Sequence, residues 1–91
     1  MTTVRLRITG RVQGVGYRAW AVQKGTALGL TGWVCNRRDG SVEALVTGAD
    51  DAVAAMAAAC RDGPYAARVS DVATEDGRDD GSVGFSARPT V

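Results

Sequence analysis

Gly32-Trp33-Val34-Cys35-Asn36-Arg37-Arg38-Asp39-Gly40-Ser41-Val42-Glu43-Ala44-Leu45-Val46-Thr47 reads as two strands folded back on each other. Residues 32–38 form the outgoing strand and residues 41–47 the returning one. Asp39-Gly40 between them is a strong hairpin signal. Working upstream, Gly29 sits where a helix ends on a left-handed residue. Before it, Ala19, Trp20, Val22, Ala27 and Leu28 fall at helical spacing, predicting a helix over residues 17–28. Gly25 weakens that helix by roughly 1 kcal/mol relative to alanine. Residues 10–16 hold three glycines and read as a loop. Ahead of them Val4, Leu6 and Ile8 alternate with Arg5, Arg7 and Thr9, a half-buried strand.

Downstream of the hairpin, Gly48 breaks the chain and Asp50 or Asp51 can cap a second helix. That helix covers residues 52–61, with Val53, Met56 and Cys60 on one stripe, and Gly63-Pro64 stops it. Residues 69–75 alternate as a fourth strand. Residues 76–81 form a polar loop, with Asp79-Asp80 solvated and not a metal site, and residues 83–88 form a short fifth strand. The order β-α-β-β-α-β plus a final strand defines an α+β fold, a ferredoxin-like βαββαβ sandwich. Right-handed crossovers put the two helices on one face of a mainly antiparallel sheet. With 91 residues, the chain is expected to be one domain over residues 1–91.

Composition narrows the function. Lys plus Arg is 11 and Asp plus Glu is 10, so no basic surplus supports nucleic-acid or membrane binding. No apolar run is long enough to span a bilayer, and residues 1–4 enter a strand at once without a signal-peptide layout. A cytoplasmic monomer is expected, with Cys35 and Cys60 as free thiols. Histidine is absent, which removes histidine-based nucleophilic catalysis and disfavours a transition-metal site. Strands 1 and 3 carry no aromatics, so the base-stacking platform of an RNA-binding sandwich is missing.

Gly10-Arg11-Val12-Gln13-Gly14-Val15-Gly16-Tyr17-Arg18 lies between a strand and a helix. Glycines there let backbone amides turn inward to cradle an anion at a helix N-terminus. Arg18 adds a permanently charged fork that matches phosphate oxygens. The plainer reading is a tight turn with a solvated arginine. Gly14-x-Gly16-x-x-Ala19 also fits a relaxed dinucleotide fingerprint, but the chain is too short for that fold. Strands 1 and 2 should run the same way, bringing Asn36 towards the cradle. Asn36 is an unfavourable strand residue, which suggests a site role; the alternative is a pre-turn residue bonding the hairpin. Arg5, Arg7 and Arg11 read as a solvated strand face. Trp20 and Trp33 read as core or groove residues and Met56 as packing. Cys35, next to Asn36, reads as an unreactive thiol, with reactivity as the alternative.

Together the two segments resemble the acylphosphatase family. The resemblance rests on Gly10-x-Val12-Gln13-Gly14-Val15-Gly16-Tyr17-Arg18 and on Gly29-Leu30-Thr31-Gly32-Trp33-Val34-x-Asn36-x-x-Asp39-Gly40-Ser41-Val42-Glu43. Gly63-Pro64 with Ala67-x-Val69, and Phe85-x-x-Arg88-Pro89, extend it over nearly the whole chain. It implies hydrolysis of a small-molecule acyl phosphate without metal or organic cofactor. By the same analogy Arg18 and the amides of Gln13, Gly14, Val15, Gly16 and Tyr17 bind the phosphate, and Asn36 orients the attacking water. Tyr17 stands where the family often has Phe. Arg37 stands where some relatives carry Thr, and an extra cation there could alter substrate preference. A non-catalytic anion-binding module on the same fold is the rival reading, since fold alone does not decide function.

Overall fold

The computed structural model describes all 91 residues, Met1–Val91. Seven elements follow one another: β1 Thr2–Arg11, α1 Tyr17–Ala27, β2 Thr31–Asn36, β3 Val42–Gly48, α2 Asp50–Cys60, β4 Arg68–Asp76 and β5 Phe85–Arg88. They build one five-stranded sheet in the order β4-β1-β3-β2-β5. β3 pairs antiparallel with β1 and with β2, β4 pairs antiparallel with β1, and β5 runs parallel to β2. The ferredoxin-like sandwich is therefore the fold. Because β1 and β2 both oppose β3, their C-terminal ends lie at the same end of the sheet.

Alternation along the strands decides which face is covered. Val4, Leu6, Ile8, Val34, Val42, Ala44, Val46 and Val72 are buried together with Ala21, Val53, Met56 and Cys60 from the helices. The opposite face has no helix, yet β3 is buried at every position. Trp33, Cys35 and Leu45 form a second small apolar cluster there. The polar loop closes over it: Trp33 Nε1 donates to Asp80 Oδ2 at 3.0 Å. Arg88 stacks 4.9 Å from the Trp33 ring centroid, a favourable cation–π placement. Asp80 is therefore not simply solvated. Its carboxyl is held below the usual range, chiefly by the Ser82 hydroxyl.

Several sequence expectations shift. β1 runs on to Arg11, so residues 10 and 11 are strand rather than loop. Gly10 sits at a register shift opposite β4 with φ 118°, and a Cβ there would lie 2.3 Å from the Arg68 carbonyl oxygen. That glycine serves a bulge where two backbones nearly touch. The hairpin is wider than a two-residue turn. Arg37 N–H donates to the Ser41 carbonyl at 2.8 Å and Gly40 N–H to the Arg37 carbonyl at 3.1 Å. Asp39 does not adopt the positive φ that a two-residue type I′ turn would require.

Neither Asp50 nor Asp51 caps α2. The N-cap is Ala49, and both acids lie in the first turn, where they favour the helix dipole. Arg5 and Arg7 are not merely solvated. Arg5 and Arg37 each hold one oxygen of Glu43, at 2.5 and 2.7 Å, and Arg7 pairs with Asp39. Cys35 and Cys60 are buried free thiols.

Candidate active site

At the C-terminal ends of β1 and β2 lies a cavity of about 370 Å³, lined chiefly by Gln13, Gly14, Gly16, Arg18, Ala19 and Asn36. The fold thus brings together Arg18 and Asn36, 18 positions apart in sequence. Val12 and Tyr17 also border it. Val15 does not; its side chain packs against the core instead.

Backbone geometry explains the loop. Gly14 and Gly16 have φ of 73° and 80°, and nothing lies within 4 Å of where a Cβ would be. Glycine is needed at both for its conformation rather than for space. Gly16 is the N-cap of α1 in this left-handed state, with no side-chain cap. Trp20 N–H, bonded to the Gly16 carbonyl at 3.0 Å, is the first helical donor. The seven consecutive amides from Gln13 to Ala19 donate to no protein acceptor. Unpaired amides need water or a ligand, and here they sit beside the positive end of a helix dipole.

The side chains match that polarity. Arg18 has no ion-pair partner in the protein. No acidic residue lines the cavity, and α1 has none in its first turn. The Asn36 carboxamide makes no hydrogen bond within the protein. It does not brace the hairpin, which removes that alternative: Asp39 Oδ1 accepts from the Ser41 amide and hydroxyl at 2.9 and 2.6 Å. Alternation places Asn36 on the helix-covered side of the sheet, below Val34, while Cys35 faces away into the Trp33 cluster.

Two neighbours are ruled out as reacting groups. The Tyr17 phenol points into the core and donates to the Cys60 carbonyl at 2.6 Å. Burial pushes its pKa far up, so it stays neutral. Burial also raises the Cys35 thiol, assisted by Glu43, against the opposing pull of Arg37, Arg88 and Arg18. Reactivity needs thiolate character, so Cys35 is a packing residue.

The Gln13 side chain has a task that the sequence did not disclose. Its Nε2 donates to the Arg37 carbonyl at 2.7 Å and the Ser41 carbonyl at 2.9 Å. The partners are 24 and 28 positions away, so no local pattern could have revealed them. A larger cavity, about 490 Å³, opens on the helix-free face among Arg5, Arg7, Arg37, Glu43, Thr74 and Glu75. Its buried carboxylate is already held by two arginines, so it offers no comparable set of free donors.

One arginine without a counterion, a run of free amides, a neutral carboxamide and no carboxylate give the pocket a polarity complementary to an anion. A family model described as acylphosphatase matches residues 4–87. The chain is 50% identical over 91 residues to an acylphosphatase of Rhodospirillum rubrum, covering 100% of both. It superposes on the crystal structure of acylphosphatase from Bacillus subtilis with a TM-score of 0.92 and 35% identity, covering 97% of this chain and 99% of that one. Full-length HypF in its phosphate- and nucleotide-bound form contains the same fold. There the TM-score is 0.89 and the identity 19%, over 98% of this chain and 12% of that one.

The chain belongs to the acylphosphatase family, a group of hydrolases that act on acid anhydrides. Independently, no helix is long and apolar enough to cross a membrane.

Proposed function

We propose that this protein hydrolyses acyl phosphates to a carboxylate and inorganic phosphate, with Arg18 and the amides of Gln13, Gly14, Val15, Gly16 and Tyr17 holding the phosphoryl group. Asn36 holds the attacking water in line with the carboxyl leaving oxygen. The observation that carries this reading is the convergence, in one cavity, of free amides, an arginine without a counterion and an unbonded carboxamide.

The chemistry asks little of the protein. The leaving carboxylate has a conjugate acid of pKa about 4 to 5, so it departs without a general acid. Phosphoryl transfer depends mainly on positioning and on stabilising charge at the non-bridging oxygens. Arg18 and the loop amides supply that charge stabilisation. Asn36 has no titratable proton near neutrality, so it orients water and does not deprotonate it. The proton passes to a phosphate oxygen of the substrate. A pH–rate profile that requires an ionised protein group in the free enzyme would contradict this step.

The test is hydrolysis of benzoyl phosphate and of a simple phosphomonoester, with chelator present, by wild type, Arg18→Ala and Asn36→Ala. Only benzoyl phosphate should turn over, and chelation should leave the rate unchanged. Arg18→Ala should lose phosphate affinity and turnover together. Asn36→Ala should lose turnover and still bind phosphate. Folded wild-type protein that binds phosphate without turning over benzoyl phosphate would establish the non-catalytic module instead. A cytoplasmic monomer free of metal and organic cofactor belongs to the same proposal, and light scattering on the purified protein checks its oligomeric part.

A further inference from the structure

We infer that the Gln13 side chain is a positioning residue, clamping the anion loop to the hairpin so that Asn36 stands at a fixed distance from the phosphoryl group. This rests on the water-orienting role proposed for Asn36.

The placement of its two hydrogen bonds supports the inference. Residues 12–16 make no other side-chain hydrogen bond to the rest of the chain; the two from Gln13 Nε2 are the loop's lateral tether. One acceptor is the carbonyl of Arg37, the residue directly after Asn36. The other is the carbonyl of Ser41, directly before Val42, and Val42 is the cross-strand partner of Asn36. A single NH₂ group therefore holds both strands of the hairpin beside the register pair that carries Asn36. The Ser41 carbonyl also accepts from Arg37 N–H at 2.8 Å, so its two lone pairs are both used. Gln13 is only half-buried and is absent from the hydrophobic core, so apolar packing does not account for its side chain.

The consequence for rate is direct. Phosphate binding needs only the loop and Arg18. In-line attack also needs the spacing between that loop and Asn36. A loose spacing lowers turnover more than affinity, because misplacement by about 1 Å can cost about a hundredfold. Gln13 therefore acts on kcat through Asn36, and its loss should not add to the loss of Asn36.

The experiment measures benzoyl phosphate hydrolysis and competitive inhibition by inorganic phosphate for wild type, Gln13→Met, Asn36→Ala and the double variant. Gln13→Met removes both donors at nearly constant length. We expect kcat to fall by about ten- to a hundredfold, the phosphate inhibition constant to stay close to wild type, and the double variant to match Asn36→Ala alone. Wild-type kcat in Gln13→Met, with Asn36→Ala impaired, overturns the clamp and leaves the role of Asn36 standing. Losses that multiply in the double variant, or a phosphate constant that rises in step with the loss of kcat, also overturn it. Wild-type kcat in Asn36→Ala overturns the water-holding reading, and the clamp with it. If Gln13→Met does not fold, Gln13→Asn keeps the carboxamide but shortens its reach, and the same expectations apply.

Discussion

Replacing Tyr17 by Phe removes one oxygen atom and isolates a buried carbonyl. Cys60 closes α2, so its carbonyl would ordinarily accept from the amide four residues on. That residue is Pro64, which has no N–H. The N–H groups of Arg61, Asp62 and Gly63 are spent on the carbonyls of Ala58 and Ala59. The Tyr17 hydroxyl at 2.6 Å is thus the only protein donor to the Cys60 carbonyl. Tyr17 is 2% exposed and Cys60 1%, so water does not readily replace the phenol. Leaving such a group unpaired costs about 1–3 kcal/mol.

In a domain of this size each 1 kcal/mol moves the thermal midpoint by about 4–8 °C. A central cost of about 2 kcal/mol lowers it by about 8–16 °C. Paired thermal and urea denaturation of wild type and Tyr17→Phe measures the loss, with an unchanged urea m-value showing that the unfolding reaction is the same. Turnover of benzoyl phosphate below the melting range should be nearly unaffected, because the phenol lies in the core. A midpoint equal to wild type would refute the single-donor reasoning. A large loss of turnover with little loss of stability would refute the separation of phenol from pocket.

Gly25→Ala should destabilise despite its better helix propensity. The new Cβ would lie 2.8 Å from Cγ of Phe85, an overpacking cost of about 1–3 kcal/mol against a helix gain of about 1 kcal/mol, read by thermal melting. Gly10→Ala should be far more damaging than Gly14→Ala in urea melts, since only Gly10 faces backbone, at 2.3 Å; Gly14→Ala carries just the left-handed cost of about 1–2 kcal/mol. Burial pushes the Glu43 carboxyl up, but the hydrogen bonds and charges of Arg5 and Arg37 outweigh it, leaving its pKa below the usual value. Its stabilisation is therefore present above the unfolded-state pKa of about 4.3 and is lost as pH falls through the folded-state value. The stability difference between wild type and Glu43→Gln, measured in urea at neutral and acid pH, should shrink in acid.

The elements were legible in the sequence because their signals are local. Alternation in β1, the glycine after α1 and the turn residues between β2 and β3 each act within a few positions. The misread details share one physical origin, which is contact between segments far apart in the chain. Gly10 looked like part of an anion loop because its glycine-dependent contact is with β4, more than fifty positions later. Arg5 and Arg7 are solvent-accessible, and the sequence hid only their acidic partners, which lie on β3 and in the hairpin, 38 and 32 positions away. Asp80 is exposed, and what the sequence hid is its bond to Trp33, 47 positions away. The members of the candidate site were nameable because their residue types are chemically unusual where they stand. The support around them was not, because a glutamine that bonds two carbonyls resembles any polar loop residue until the fold closes.

That division bears on how so small a domain can host the proposed reaction. An enzyme that must move protons needs a tuned acid or base, and tuning means burying a charge with its partners. Here the cavity is lined by no carboxylate, and its candidate polar side chains are the Arg18 guanidinium and the Asn36 carboxamide. In the proposed mechanism Arg18 is joined, in meeting the phosphoryl group, by backbone amides that two left-handed glycines and a helix start leave unbonded. Such donors require no buried ion pair, only a rigid frame. The frame is what the rest of the chain supplies: a bulge launches the loop from β1, the Tyr17 phenol pins its far end to α2, and Gln13 ties its flank to the hairpin. On this reading a supporting side chain such as Gln13 acts on catalysis through distance alone. Loss of the Gln13 tether should therefore change kcat while leaving the pH dependence of the reaction as it is in the wild type, whereas loss of the Tyr17 phenol is read in stability.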